Sequence, residues 1–175
     1  MRGLPFLILI SLVMAILMVG CTSPGPDTSA YWIIKGSILS KQGQFDEALN
    51  AYDKAISIDP KDEATWVSKG KVLIIQGRWE EALKVFNITT QLNPKDTTAW
   101  INKGVALNNL DRYNEALDTY DKAIAIDPTN AIAWGDKGLI LYDIGRTEEA
   151  DMAFAKAGFP PKQKNLPVMV RVNES

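Results

Sequence analysis

The side chains that most often carry catalysis are nearly absent from this chain of 175 residues. It has no histidine, so the commonest general base and the commonest metal ligand are missing. Its single cysteine, Cys21, excludes an internal disulfide framework and any cysteine-rich zinc site. A nucleophile with its base, a paired acid or a metal cage would have to come from carboxylates and hydroxyls alone. The carboxylates, among them Asp46, Glu47, Glu80, Glu81, Glu115, Glu148 and Glu149, fall in turns and at the starts of helical stretches. There they complement the helix dipole and stay solvated. The sequence points to no enzyme, with no catalytic residue, cofactor or metal site. A formal charge of −2 carries no clustered basic surface for nucleic acid.

Cys21 is placed for a different chemistry. Met1 and Arg2 precede an apolar run of 16 residues, Leu4 to Val19, and Gly20 stands just before the cysteine. A positive start, an apolar core and a small residue before a cut read as a secretory signal. The run is shorter than the ~20 residues a spanning helix normally needs. Val19, Gly20 and Cys21 resemble a prokaryotic lipoprotein signal, with Met18 where leucine is usual. The resemblance implies cleavage after residue 20 and lipidation of Cys21, which with two chains would hold the protein stably on a membrane. The run could instead remain as an uncleaved anchor, since short anchors near 17 residues exist. Cleavage would remove Arg2 and leave 18 basic against 21 acidic residues, a charge of −3. Either way the expected location is extracytoplasmic and membrane-anchored, in a prokaryotic cell envelope. Thr22 to Ser29 (TSPGPDTS) has no large apolar residue and reads, with Cys21, as a tether over 21–29.

The rest of the chain repeats. Tryptophan returns every 34 residues at Trp32, Trp66, Trp100 and Trp134. Glycine follows at Gly36, Gly70, Gly104 and Gly138, then leucine at Leu39, Leu73, Leu107 and Leu141. Further columns hold Ala48, Ala82, Ala116 and Ala150, then Tyr52, Phe86, Tyr120 and Phe154, and the first three units close on Pro60, Pro94 and Pro128. A fixed period of this size means stacked supersecondary units that bury surface only against neighbours. The columns resemble the tetratricopeptide repeat over roughly residues 29–162. That resemblance implies an all-α fold, a right-handed α-solenoid of four tandem helix-turn-helix repeats over 30–158, with units at 29–62, 63–96, 97–130 and 131–158. A proline-rich extended tail follows at 159–175.

Each unit should hold a first and a second helix: 30–42 with 45–58, 64–76 with 79–92, 98–110 with 113–126, and 132–144 with 147–157. Gly43, Gly77 and Gly145 suit the left-handed turn between them, and Asp111 takes that place in the third unit. Asp62, Asp96 and Asn130 can cap the next helix. The glycine and alanine columns let the helices of a pair approach closely, while the aromatic and tryptophan columns fill space between successive pairs. Lysine stands where leucine is usual before the glycine, at Lys35, Lys69, Lys103 and Lys137. Either the stems cover apolar surface and acids such as Asp53 and Asp121 pair with the heads, or the lysines form a basic edge. Asn87-Ile88-Thr89 matches a glycosylation acceptor but lies inside a helix, where it should go unused. Asn173-Glu174-Ser175 does the same at the end of the chain.

In this family the first helices line a concave groove. The positions so implied are Ile33, Ser37 and Lys41, then Val67, Ser68, Lys71 and Ile75, then Thr98, Ile101, Asn102, Val105 and Asn109, and finally Ile132, Asp136, Leu139 and Asp143. Some relatives grip chaperone tails with a two-carboxylate clamp of lysine, asparagine and arginine. At the five matching positions this chain has Ile33, Ser37, Ser68, Thr98 and Asn102, so the cations are missing and that activity is not implied. A groove with apolar residues, amides and few charges suits an extended or helical peptide. The expected function is a non-enzymatic scaffold binding another protein or a peptide in an envelope or surface complex. The alternative is an extracytoplasmic solute- or glycan-binding module using Trp79 and Tyr113. Lys162 replaces the fourth closing proline, and PPKQKNLPVMVRVNES offers no further helix, so the fourth repeat either is covered by this tail or is a surface for self-association.

Overall fold

The structure is a computed structural model describing residues 24–159. The apolar run, Cys21 and the tail from Pro160 onward lie outside the described residues. Among the described residues every regular element is an α-helix. The chain divides into two compact units, Met1–Pro60 and Lys61–Ser175.

In the first unit, α1 (Ser29–Lys41) packs on α2 (Phe45–Ile58). Thr28 caps α1 by accepting from the Tyr31 N–H at 3.3 Å. Gly43 makes the turn at φ 77°, a left-handed conformation that costs glycine little. Gly36 lets the helices close: a Cβ there would lie 2.8 Å from Cε1 of Tyr52. Ala48, Ala51, Tyr52 and Ala55 form the buried side of α2.

The second unit holds α3 (Glu63–Ile75), α4 (Trp79–Leu92), α5 (Thr97–Asn109), α6 (Tyr113–Ile126), α7 (Ala131–Asp143) and α8 (Thr147–Lys156). Each helix packs on the next, and α5 also touches both α3 and α7. The odd-numbered helices therefore form a layer of their own within this unit. Gly77 and Gly145 turn at φ 68° and 81°, and Asp111 takes the same conformation at φ 58°. Asp96 caps α5 through the Thr98 N–H at 2.8 Å, and Asn130 caps α7 through the Ala133 N–H at 3.0 Å. Asp62 differs: its carboxylate makes no backbone cap and instead accepts the Thr65 hydroxyl. The observed ends lie within one residue of the expected ones.

Two columns do more than fill space between pairs. The aromatic ring lies inside its own pair, against the glycine of the first helix; Cβ atoms at Gly70, Gly104 and Gly138 would lie 2.5–2.7 Å from the rings of Phe86, Tyr120 and Phe154. Tryptophan fastens the chain just before its helix. The indole Nε1–H donates to the Pro26 carbonyl from Trp32 (2.7 Å), to Pro94 from Trp100 (2.9 Å) and to Pro128 from Trp134 (2.9 Å). Each of these bonds ties a turn to the helix it leads into.

Candidate functional site

On α1, Ile33 and Ser37 are half-buried and Lys41 is exposed. On α3, Val67 and Ser68 are half-buried, whereas Lys71 and Ile75 are exposed. On α5, Thr98 and Asn109 are exposed, Asn102 and Val105 half-buried, and on α7 Ile132 and Asp143 are exposed, Asp136 and Leu139 half-buried. Ile101 is the exception. It is only 9% exposed and so serves the core more than a ligand. The α3, α5 and α7 positions share one layer of the second unit; the α1 positions belong to the first unit.

The polar members of this layer are tied down locally. Ser68 Oγ donates to the Ala64 carbonyl at 2.8 Å, Asn102 Nδ2 to Thr98 at 2.9 Å, and Asn109 Nδ2 to Val105 at 2.8 Å. These bonds to the preceding turn fix which way each amide points, because only its nitrogen can donate. Asn102 and Thr98, two of the clamp positions, are thereby bonded to each other. Asp136 is the most unusual group. Its carboxyl accepts from the Tyr120 hydroxyl, and burial pushes it up to about 6, against the opposing pull of that hydrogen bond. Burial also pushes Tyr120 well above its usual range, reinforced by Asp136.

The lysine column goes to the tryptophans. The ammonium groups of Lys35, Lys69, Lys103 and Lys137 sit 5.1, 5.9, 5.2 and 5.7 Å from the ring centres of Trp32, Trp66, Trp100 and Trp134. Lys54 and Lys122, from the second helices, approach Trp32 and Trp100 at 4.1 and 4.8 Å. Lys137 also pairs with Asp121, one of the acids expected to do so. Burial, then the neighbouring Lys122, pulls Lys103 below its ordinary value. These cations are engaged with rings, as cation–π attraction favours, and the column is no free basic edge.

Sequence reasoning missed two features. Arg78, Arg112 and Arg146 each form an ion pair with the glutamate three residues on, Glu81, Glu115 and Glu149, at the start of the second helices. Their column was legible as Arg-x-x-Glu. Phe159 turns back after Gly158 (φ 86°), meets Phe154 edge-on at 6.4 Å, and comes within 3.8 Å of where a Gly135 Cβ would be. Glycine replaces the large residue of that column (Ile33, Val67, Ile101), which was the available clue. Tyr113, a proposed sugar-binding ring, commits its hydroxyl to Asp111 Oδ1 at 2.5 Å, and Trp79 is half-buried. Thr89, in the acceptor-like triplet, is fully buried and donates to the Phe86 carbonyl.

Among the described residues no cluster of acids or cysteine could hold a metal ion, and no helix is long and apolar enough to cross a membrane. A tetratricopeptide-repeat family model described as the cilia and flagella-associated protein 70 C-terminal domain matches residues 13–158. The chain belongs to this family. The tetratricopeptide-repeat fold also appears in its structural likenesses. A structure described as "Crystal structure of MamA protein" is 26% identical, with a TM-score of 0.71 over 76% of this chain and 73% of that one. MamA 41-end from Desulfovibrio magneticus RS-1 is 20% identical, with a TM-score of 0.72 over 76% and 75%. The first tetratricopeptide-repeat domain of Spaghetti (RPAP3), solved with an HSP90 peptide SRMEEVD, is 23% identical, with a TM-score of 0.64 over 69% and 98%. No curated protein matches the chain.

Proposed function

We propose that this chain is a non-enzymatic scaffold whose tetratricopeptide repeats, four units wound as a right-handed solenoid, bind a peptide or a partner protein. The observation that carries this is the layer of α3, α5 and α7. It offers exposed apolar residues (Ile75, Ile132), half-buried Val67, Val105 and Leu139, and amides already held in place, without any catalytic constellation. Such a surface gains affinity from shape and a few oriented polar groups. The first tetratricopeptide-repeat domain of Spaghetti is bound to a peptide in its structure, which supports peptide binding as the reading for this fold. The clamp cations are absent here, so the ligand chemistry must be different. The N-terminal run with Gly20-Cys21 supports secretion and lipidation at Cys21 (or anchoring by the uncleaved run), which would put the scaffold on the outer side of a prokaryotic membrane. Self-association through the fourth repeat belongs to the same reading, supported by exposed Met152 and Phe159.

The test is a pull-down from gently solubilised native membranes, comparing wild type with a folded Lys71→Glu, Asn102→Ala variant. A protein that co-enriches with wild type and is lost with the variant supports the scaffold and its face. Nothing specific with either protein removes the reading.

A further inference from the structure

The α5–α7 part of this layer carries one half-buried carboxylate, Asp136, and amides anchored to their own helix. Asn102 and Asn109 each aim one N–H of the amide at a carbonyl of their own helix, which leaves the amide oxygen and the second N–H to meet a ligand. Asp136, on the neighbouring α7, is an acceptor whenever ionised. Its partner is the neutral hydroxyl of Tyr120, a buried residue that can neither move away nor neutralise the charge. The lysines of these two helices are drawn elsewhere: Lys103 lies over Trp100, and Lys137 over Trp134 and against Asp121. Asp136 is a half-buried carboxylate on a helix that touches α5, its charge is met by burial and the Tyr120 hydroxyl with no cation among these influences, and half-buried Val105 and Leu139 lie on the same two helices. Desolvated charge of this kind is costly until it is paired.

We propose that the α5–α7 face binds a partner peptide through one cationic side chain, arginine or lysine, seated on Asp136, with flanking apolar residues of the peptide resting on Val105 and Leu139. This rests on the scaffold reading and names the chemistry of its ligand. It reverses the polarity of the two-carboxylate clamp: here the protein supplies the anion and the peptide the cation. A guanidinium suits the site best, because its planar fork matches the geometry of a carboxylate.

Capped peptides of about twelve alanine and leucine residues, each with one central arginine, lysine, citrulline or glutamate, test this by fluorescence anisotropy on the full chain at about 0.15 M salt, where exposed-charge attraction is screened. Arginine and lysine peptides should bind about tenfold or more tighter than citrulline, a neutral near-isostere, and glutamate weakest. Asp136→Asn, which keeps an acceptor for Tyr120, should shrink that preference to within about threefold. Leu139→Arg, which places a cation one turn from Asp136, should abolish it independently. Asp118→Asn, which removes an exposed carboxylate of α6, should leave it unchanged. Equal binding of arginine and citrulline peptides by wild type, or a preference that survives Asp136→Asn, overturns the cation site and leaves the scaffold reading intact. Binding of no peptide overturns the cation site too; the scaffold reading then stands or falls on the pull-down.

Discussion

Gly104 and Tyr120 meet so closely that a methyl group on the glycine would lie 2.7 Å from Cζ of the ring. The ring is 1% exposed and has nowhere to retreat. Glycine is thus required by space, since the helical backbone at Gly104 would accept any residue. Alanine there would gain about 1 kcal/mol of helix propensity. The overlap should outweigh it, and Gly104→Ala should destabilise the protein by about 1–3 kcal/mol. Urea unfolding followed by circular dichroism reads the difference; a midpoint unchanged or raised would show that the ring yields.

Asp136 makes stability depend on pH in a direction opposite to most carboxylates. Its ordinary value is 3.8, and burial raises it to about 6 in the folded chain. Between these values the folded state holds a proton that the unfolded state has lost, so this group's contribution is best at low pH and worsens as pH rises towards 6. Asp136→Asn keeps the acceptor for Tyr120 and removes the charge. It should therefore raise stability at pH 7–8 by roughly 1–3 kcal/mol, one pKa unit being about 1.4 kcal/mol. The gain should vanish below about pH 4. Thermal melts of both proteins across pH 4–8 give the difference curve; a variant less stable at pH 7 would contradict the account.

Most of the fold was legible because the repeat states each position four times. Tryptophan, glycine and alanine columns fixed the helices to within a residue, and the turn glycines fixed their breaks. The tryptophan bonds to Pro26, Pro94 and Pro128 were not legible, since a hydrogen bond to a backbone carbonyl leaves no mark on the partner's residue type. The site was harder for a related reason. Val105 and Asn102 could be placed on a face by register, but whether Asn102 shows its oxygen or its nitrogen depends on a bond to Thr98. The charge state of Asp136 depends on burial that only packing reveals.

Asp111 is the one non-glycine residue among the described residues with positive φ, at 58°. Equivalent turns use Gly43, Gly77 and Gly145. A left-handed residue with a Cβ costs roughly 1–2 kcal/mol, less for aspartate, and Asp111 recovers part of that by accepting the exposed Tyr113 hydroxyl. Asp111→Gly should raise stability by about 0.5–1 kcal/mol, whereas Gly145→Ala should lower it by a similar or larger amount. Matched thermal melts decide it, and a destabilised Asp111→Gly would mean the Tyr113 bond outweighs the backbone cost.

Met152 stands in a column otherwise filled by Asn50, Lys84 and Asp118, and it is 62% exposed. Phe159, close by in sequence and edge-on to Phe154, keeps 47% of its surface in water. Two large apolar residues in water at the end of the described repeats would serve the proposed self-association, because pairing would remove them from water at about 25 cal/mol per Å². Sedimentation velocity should show reversible, concentration-dependent self-association in the full chain. Met152→Lys with Phe159→Ser should shift it to monomer while leaving the circular dichroism spectrum of the helices in place. The full chain sedimenting as a strict monomer at high concentration would remove self-association from the proposed function and leave peptide binding on α5 and α7 untouched.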